Sequence, residues 1–327
     1  MKIRLGILIL FFGFTGCSKY PSGALVFVTN ERDGTISVIN GDTDKIIDTI
    51  HTGARPRGIR ITADGRHAYV ALSTPVNVKP KPEDNRIAVI DTSNGAVLKT
   101  IQVGPDPEQL AINNDESLLF VSNEDTGTAT VIDLHNGATM ATLVTGIEPE
   151  GVTLSPDGRW AYVMAETSST VTVIDTEKMQ VVKTMMVGAR PRDASFSPDG
   201  ARCYVTSENG QDLSVIDTST HSVIDRISLA YNDSVKPVQV VVSPDGGKIY
   251  VANGRANSVS VLNPADFSIV KTIGVGQRVW GIGLARDGKK LYAANGLSND
   301  VSVIDTDSEK VIATLPAGQG PWGVAAR

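Results

Sequence analysis

The strongest constraint on this chain is a motif repeated seven times. A branched-aliphatic pair closed by Asp or Asn recurs at Val38-Ile39-Asn40, Val89-Ile90-Asp91, Val131-Ile132-Asp133, Val173-Ile174-Asp175, Val215-Ile216-Asp217, Val261-Leu262-Asn263 and Val303-Ile304-Asp305. Its central residues are spaced 51, 42, 42, 42, 46 and 42 apart. The same step carries an aromatic marker at Phe27, Tyr69, Phe120, Tyr162, Tyr204, Tyr250 and Tyr292, and a turn Asp at 64, 115, 157, 199, 245 and 287. A period in this range, built from short alternating strands, predicts an all-β fold: a seven-bladed β-propeller of four-stranded antiparallel blades.

Residues 149–190 show the unit. Strands are expected over 150–154, 160–164, 170–174 and 181–185, separated by turns such as Ser155-Pro156-Asp157-Gly158. There Pro presets φ and Gly accepts a positive one. The repeat opens within a blade at Leu25–Asn30 and ends on the first strand of a blade at Trp322–Ala326. Pairing of the N- and C-terminal strands is therefore expected to close the ring and remove an exposed sheet edge. Two units are longer. The inserts fall in the Pro-rich loop Ser73 to Asn85 and around Tyr231 to Lys236. Propeller topology places both on one face, where binding loops are expected.

The organisation expected is residues 1–16 as a signal peptide, 17–23 as a lipidated cysteine and short linker, and 24–327 as one propeller domain. Lys2 and Arg4 precede an apolar run, Leu5 to Phe14, too short for an ordinary spanning helix. Phe14-Thr15-Gly16-Cys17 resembles a bacterial lipobox, with lipidation at Cys17. The chain is thus expected to be exported and anchored to the periplasmic side of a membrane, the outer membrane favoured. A net charge of −6 without a basic stripe argues against nucleic acid.

The strings Phe27-Val28-Thr29-Asn30, Tyr204-Val205-Thr206-Ser207 and Tyr250-Val251-Ala252-Asn253 resemble the YVTN-type β-propeller repeat family. Val28-Thr29-Asn30-Glu31 and Gly53-Ala54-Arg55-Pro56-Arg57-Gly58 are similar to exported propellers associated with PQQ-dependent catabolism. That resemblance implies a place beside a quinoprotein alcohol-oxidation or transport system, with a quinoprotein dehydrogenase, cytochrome or transporter component as partner. It does not imply that this chain binds PQQ, and no cofactor is expected.

Two repeat columns mark the expected channel mouth. One, entering each inner strand, holds Arg57, Glu108, Glu150, Arg192, Val238, Trp280 and Trp322; two residues earlier stand Arg55, Asp106, Glu148, Arg190, Lys236, Arg278 and Gly320. The charged and tryptophan members are the ligand-binding candidates: low-dielectric walls focus fields, and Trp280 and Trp322 offer faces for stacking. The plainer alternative is mutual neutralisation of Arg and Glu, with the tryptophans plugging the channel. Asp106, Glu108, Glu148 and Glu150 offer oxygens to Ca²⁺, but no loop has a dedicated calcium spacing, so no metal is expected. The histidines His51, His67, His135 and His221 occupy different offsets and do not suggest a metal site. Cys203 is expected to be a small buried hydrophobe.

No haem-attachment, Walker A or G-x-S-x-G motif is present. The expectation is therefore a non-enzymatic binding or scaffold lipoprotein holding a small molecule or protein at the mouth. A propeller hydrolase of lactonase type is the alternative, with Glu108 and Glu150 as candidate bases and Arg192 as electrostatic stabiliser. A non-catalytic subunit of a periplasmic dehydrogenase is a third.

Overall fold

The computed structural model describes residues 18–75 and 77–327. Seven four-stranded antiparallel sheets surround a common axis. Blade 4 comprises Pro149–Leu154, Trp160–Ala165, Thr170–Asp175 and Gln180–Met186, each within a residue or two of the strands expected from the sequence. Blade 1 takes its inner strand from the C-terminus: Pro321–Ala326 pairs with Leu25–Asn30, Val28 opposite Val324. The ring closes as expected. Cys17 and the expected leader lie outside the described residues. Among the described residues no helix is long and apolar enough to cross a membrane. In the stretch expected to be linker, Tyr20 is buried, packs with Leu25 and Ile50, and its hydroxyl donates to Asp48 at 2.5 Å.

The core lies in the seams between blades. The second-strand aromatic points into each seam: Phe27 packs with Ile59 and Val70 of the next blade, and Tyr292 with Val26 and Ile39. All seven aromatics of this column are buried. Burial of such a ring is worth several kcal/mol; truncating one to Ala typically costs about 3–5 kcal/mol.

Near the axis the inner strands approach too closely for side chains. A Cβ on Gly281 would lie 2.0 Å from the Trp322 carbonyl oxygen, and one on Gly323 2.6 Å from that of Arg57. Hydroxyls from the second strands stitch the same region. Thr29 donates to the Arg57 carbonyl at 2.7 Å, Ser122 to that of Glu150 at 2.5 Å and Thr206 to that of Val238 at 3.2 Å. The Thr of the repeat string thus clamps the backbone of a mouth residue in the neighbouring blade.

Candidate functional site

The mouth is built by the turn before each inner strand. Four members of the outer column, Asp106, Glu148, Arg190 and Arg278, have left-handed backbone, with φ of 45, 56, 60 and 57°. A following proline disfavours the right-handed helical region at the first three. Because this conformation recurs around the ring, it belongs to the repeat and does not single out a reactive residue.

The charged columns converge as expected, but largely on one another. On one side Arg57 pairs with buried Glu108 and lies 3.4 Å from Glu31, while Arg55 reaches Glu31 at 3.3 Å and Asp106 at 3.8 Å. On the other, Arg192 contacts Glu150 at 3.0 Å, Glu208 at 3.8 Å and also Glu166. Arg190 holds Glu166 at 2.8 Å and Glu208 at 3.2 Å, and Arg278 holds Glu208 at 3.1 Å. Counting Glu124, which joins through its neighbours, seven carboxylates meet five guanidinia: Glu31, Asp106, Glu108, Glu124, Glu150, Glu166 and Glu208 against Arg55, Arg57, Arg190, Arg192 and Arg278.

Glu31, Glu124, Glu166 and Glu208 are absent from the two columns read in the sequence. They share a third, immediately after the second strand, visible as Asn30-Glu31, Asn123-Glu124, Ala165-Glu166 and Ser207-Glu208. This position faces the mouth from the second-to-third-strand loop. Glu124 opens a short 3-10 turn, Glu124–Thr126, whose first N–H donates to the Asp106 carbonyl at 3.0 Å.

Burial sets the electrostatics. It pushes Glu108 well above the ordinary carboxylate range, against the pull of Arg57. Burial and the charge of Glu150 push Glu124 up to about 7. Burial also raises Glu166, partly offset by Arg192. Burial would lower Arg57 and Arg192, but attraction to Glu108 and to Glu150 respectively wins, and both are held above the usual value.

The tryptophan faces expected to stack on a ligand are already occupied. Arg278 lies 3.9 Å and Arg192 5.6 Å from the Trp280 ring centroid, and Arg57 lies 5.2 Å from that of Trp322. Below them the channel narrows to a void of about 20 Å³ bounded by Glu150, Arg192, Trp280 and Trp322. The axis is plugged, so Glu150 and Arg192 do not face an open pore. Lys236 forms no ion pair among the described residues, and Glu148 accepts from the Thr167 hydroxyl beside a separate hollow.

Open space lies off the axis. The long loop of blade 2 walls a cleft of about 1070 Å³. Pro75, Val78, Pro80 and Val103 give it apolar sides; Glu31, Arg55, Asp106 and Asp125 line its charged end. Arg32 and Lys81 also line it, and neither is in an ion pair among the described residues. Two groups of carboxylate oxygens lie within 4.8 Å of one another: Asp106, Glu108 and Glu124, and Glu124, Glu150 and Glu166. The histidines do not converge: His221 instead bonds the Tyr162 hydroxyl at 2.7 Å and packs on Trp160. Cys203 is buried, as expected.

Residues 23–192 match the choice-of-anchor I domain. This chain belongs to that family. Residues 177–315 match the lactonase, seven-bladed β-propeller family. A Mycobacterium tuberculosis relative, the seven-bladed β-propeller protein Rv1057, is 29% identical over 112 residues, 34% of this chain and 27% of that protein. The match thus spans about a quarter of that relative. Among solved structures, Kuenenia stuttgartiensis hydrazine synthase superposes with TM-score 0.76 at 23% identity, covering 86% of this chain and 92% of that one. A Desulfotomaculum acetoxidans protein of unknown function gives 0.79 at 18%, covering 92% and 98%. A Bacteroides uniformis protein provisionally named a 6-phosphogluconolactonase gives 0.77 at 16%, covering 93% and 99%. These structural likenesses show the fold.

The matches correct one expectation. A non-enzyme was expected because the sequence shows no recognised catalytic constellation. The lactonase-family match over residues 177–315 stands against that expectation. The physical oversight is the third column, whose Glu124 is a carboxyl raised toward neutrality. The finer likeness to PQQ-associated YVTN propellers is not carried by these matches.

Bordering the same small void, Asp193 is buried, accepts from the Val240 N–H at 3.4 Å and is pushed up to about 6 by burial, against the pull of Arg60. A raised carboxyl binds its proton more tightly in the folded chain than in the unfolded one. Its contribution is therefore fully present below the unfolded value and lost as pH rises through the folded value. Urea unfolding between about pH 4 and pH 7 should show wild type losing on the order of 2 kcal/mol more stability than Asp193→Asn. Parallel pH profiles for the two proteins would contradict this assignment.

Proposed function

We propose that this chain is a hydrolase of small anionic cyclic esters, with the substrate in the cleft beside the blade 2 loop. The observation that carries this reading is a fixed guanidinium and carboxylates at one corner of a large, half-apolar cleft: Arg55 bridges Glu31 and Asp106, and Glu124 lies next to Asp106. The lactonase-family match over residues 177–315 supports the same reaction class. Arg32 and Lys81 attract the anionic group. A phosphorylated sugar lactone, the substrate type named for the Bacteroides uniformis protein, is the first compound to try.

In the proposed reaction, Asp106 and Glu124 hold the attacking water and accept its proton as the oxygen bonds to the acyl carbon. Arg55 stabilises the tetrahedral oxyanion. The bond from the acyl carbon to the ring oxygen then breaks, and the proton returns to the departing oxygen as a hydroxyl. Removing one such stabilising or proton-accepting group typically costs about 10²–10³ in rate. A lactone panel followed by proton release should reveal turnover, with Asp106→Asn and Arg55→Ala each lowering kcat/KM by about 10²-fold. A silent panel, or wild-type rates in both variants, would sink the proposal.

The reading includes export and tethering through Cys17, supported by Lys2, Arg4, the apolar run to Phe14 and the lipobox-like string. Labelled palmitate should enter wild-type protein in a bacterial host and not Cys17→Ser. Equal labelling, or none in either, would count against the anchor.

A further inference from the structure

We infer that Asp106, Glu108 and Glu124 form a binding site for a hard divalent cation of the calcium type. Three independent features of the mouth lead there. The first is geometry: one oxygen from each carboxylate lies within 4.8 Å of the others. Ligands held at 2.3–2.6 Å from one Ca²⁺ are at most roughly 5 Å apart, so a single ion fits the spacing. The Glu124 N–H to Asp106 carbonyl bond ties together the two segments that supply the outer ligands.

The second feature is Glu108. Its side chain is fully buried, one oxygen accepts from Arg57, and Oε1 has no hydrogen-bond partner among the described residues. A buried acceptor left unmatched is costly, more so when charged. A cation at the cluster would satisfy it.

The third feature is the balance of groups. The mouth network carries seven carboxylates against five guanidinia. The excess is one of carboxyl groups over guanidinia. The excess is not shared evenly. Glu150 and Glu166 of the neighbouring cluster are both contacted by Arg192, whereas Glu124 has no ion-pair partner among the described residues. The under-compensated corner is therefore the Asp106–Glu108–Glu124 side. Its all-oxygen donor set favours Ca²⁺ or Mg²⁺ over zinc, and calcium tolerates the irregular geometry better.

The site stands without the hydrolase reading, because binding is measured without substrate. When bound, the ion would supply Lewis-acid polarisation at the charged end of the cleft.

The test uses the full folded chain after chelator treatment, titrated with CaCl₂ alone by calorimetry and thermal melting. One saturable site per chain and a rise in Tm are expected. Glu124→Gln should weaken binding by about tenfold or more, as loss of a ligand group does. Asp106→Asn should do the same and serves if the first variant folds poorly. Glu148→Gln, which removes a mouth carboxylate outside the cluster, should bind as wild type. No heat and no Tm shift at millimolar calcium would overturn the site, as would equal weakening by Glu124→Gln and Glu148→Gln. Lactone turnover that persists in such a calcium-insensitive protein would leave the hydrolase reading in place.

Discussion

Closing seven sheets into a ring forces the entry residues of seven inner strands onto one another, and their charges must be matched where water is scarce. Everything at the mouth follows from that crowding. Gly281 and Gly323 are required because backbone carbonyls approach within reach of any Cβ. Thr29, Ser122 and Thr206 spend their hydroxyls on carbonyls of the next blade. The ring residues are thereby held rigidly, and Arg192 can serve Glu150, Glu166 and Glu208 from one position. In such surroundings an ion pair loses little strength to solvent but depends on every partner being present.

The same crowding explains why the axis is not the binding space. Arg57, Arg192 and Arg278 lie over Trp280 and Trp322, and the channel closes beneath them. A roomy cleft opens where the repeat is broken, at the Pro-rich insertion of blade 2. There the charged rim meets apolar walls: Arg55 and Asp106 line the cleft and are held by the network, and Glu124, which lines the neighbouring hollow, lies next to Asp106. A regular ring supplies precision, and the irregular loop supplies access.

The sequence carried the fold almost completely. The shared register of Val-Ile-Asp, the seam aromatics and the turn Asp residues prescribes blade number, strand order and closure, because each marker has one place in a blade. The site was only partly legible. Arg57, Glu108, Glu150 and Arg192 were found because they stand at equal offsets on inner strands. Glu31, Glu124, Glu166 and Glu208 were not, although they also share an offset, because a loop position gives no hint of facing inward until strand register is known. Nor does sequence say which of two readings of an Arg–Glu ring holds. The distances decide it: the groups neutralise one another at the axis and leave a carboxylate excess at one edge.

The central claim is that the mouth is a buried, interdependent charge network and not a solvated rim. The most direct test is a double-mutant cycle on Arg192 and Glu166, read by equilibrium unfolding. If the network is buried, Arg192→Met costs about 3–5 kcal/mol by stranding Glu150 and taking one partner from Glu166 and Glu208, and adding Glu166→Gln recovers part of that loss. A cost of about 1 kcal/mol or less, with additive effects, is what a solvent-screened rim would give and would contradict the account.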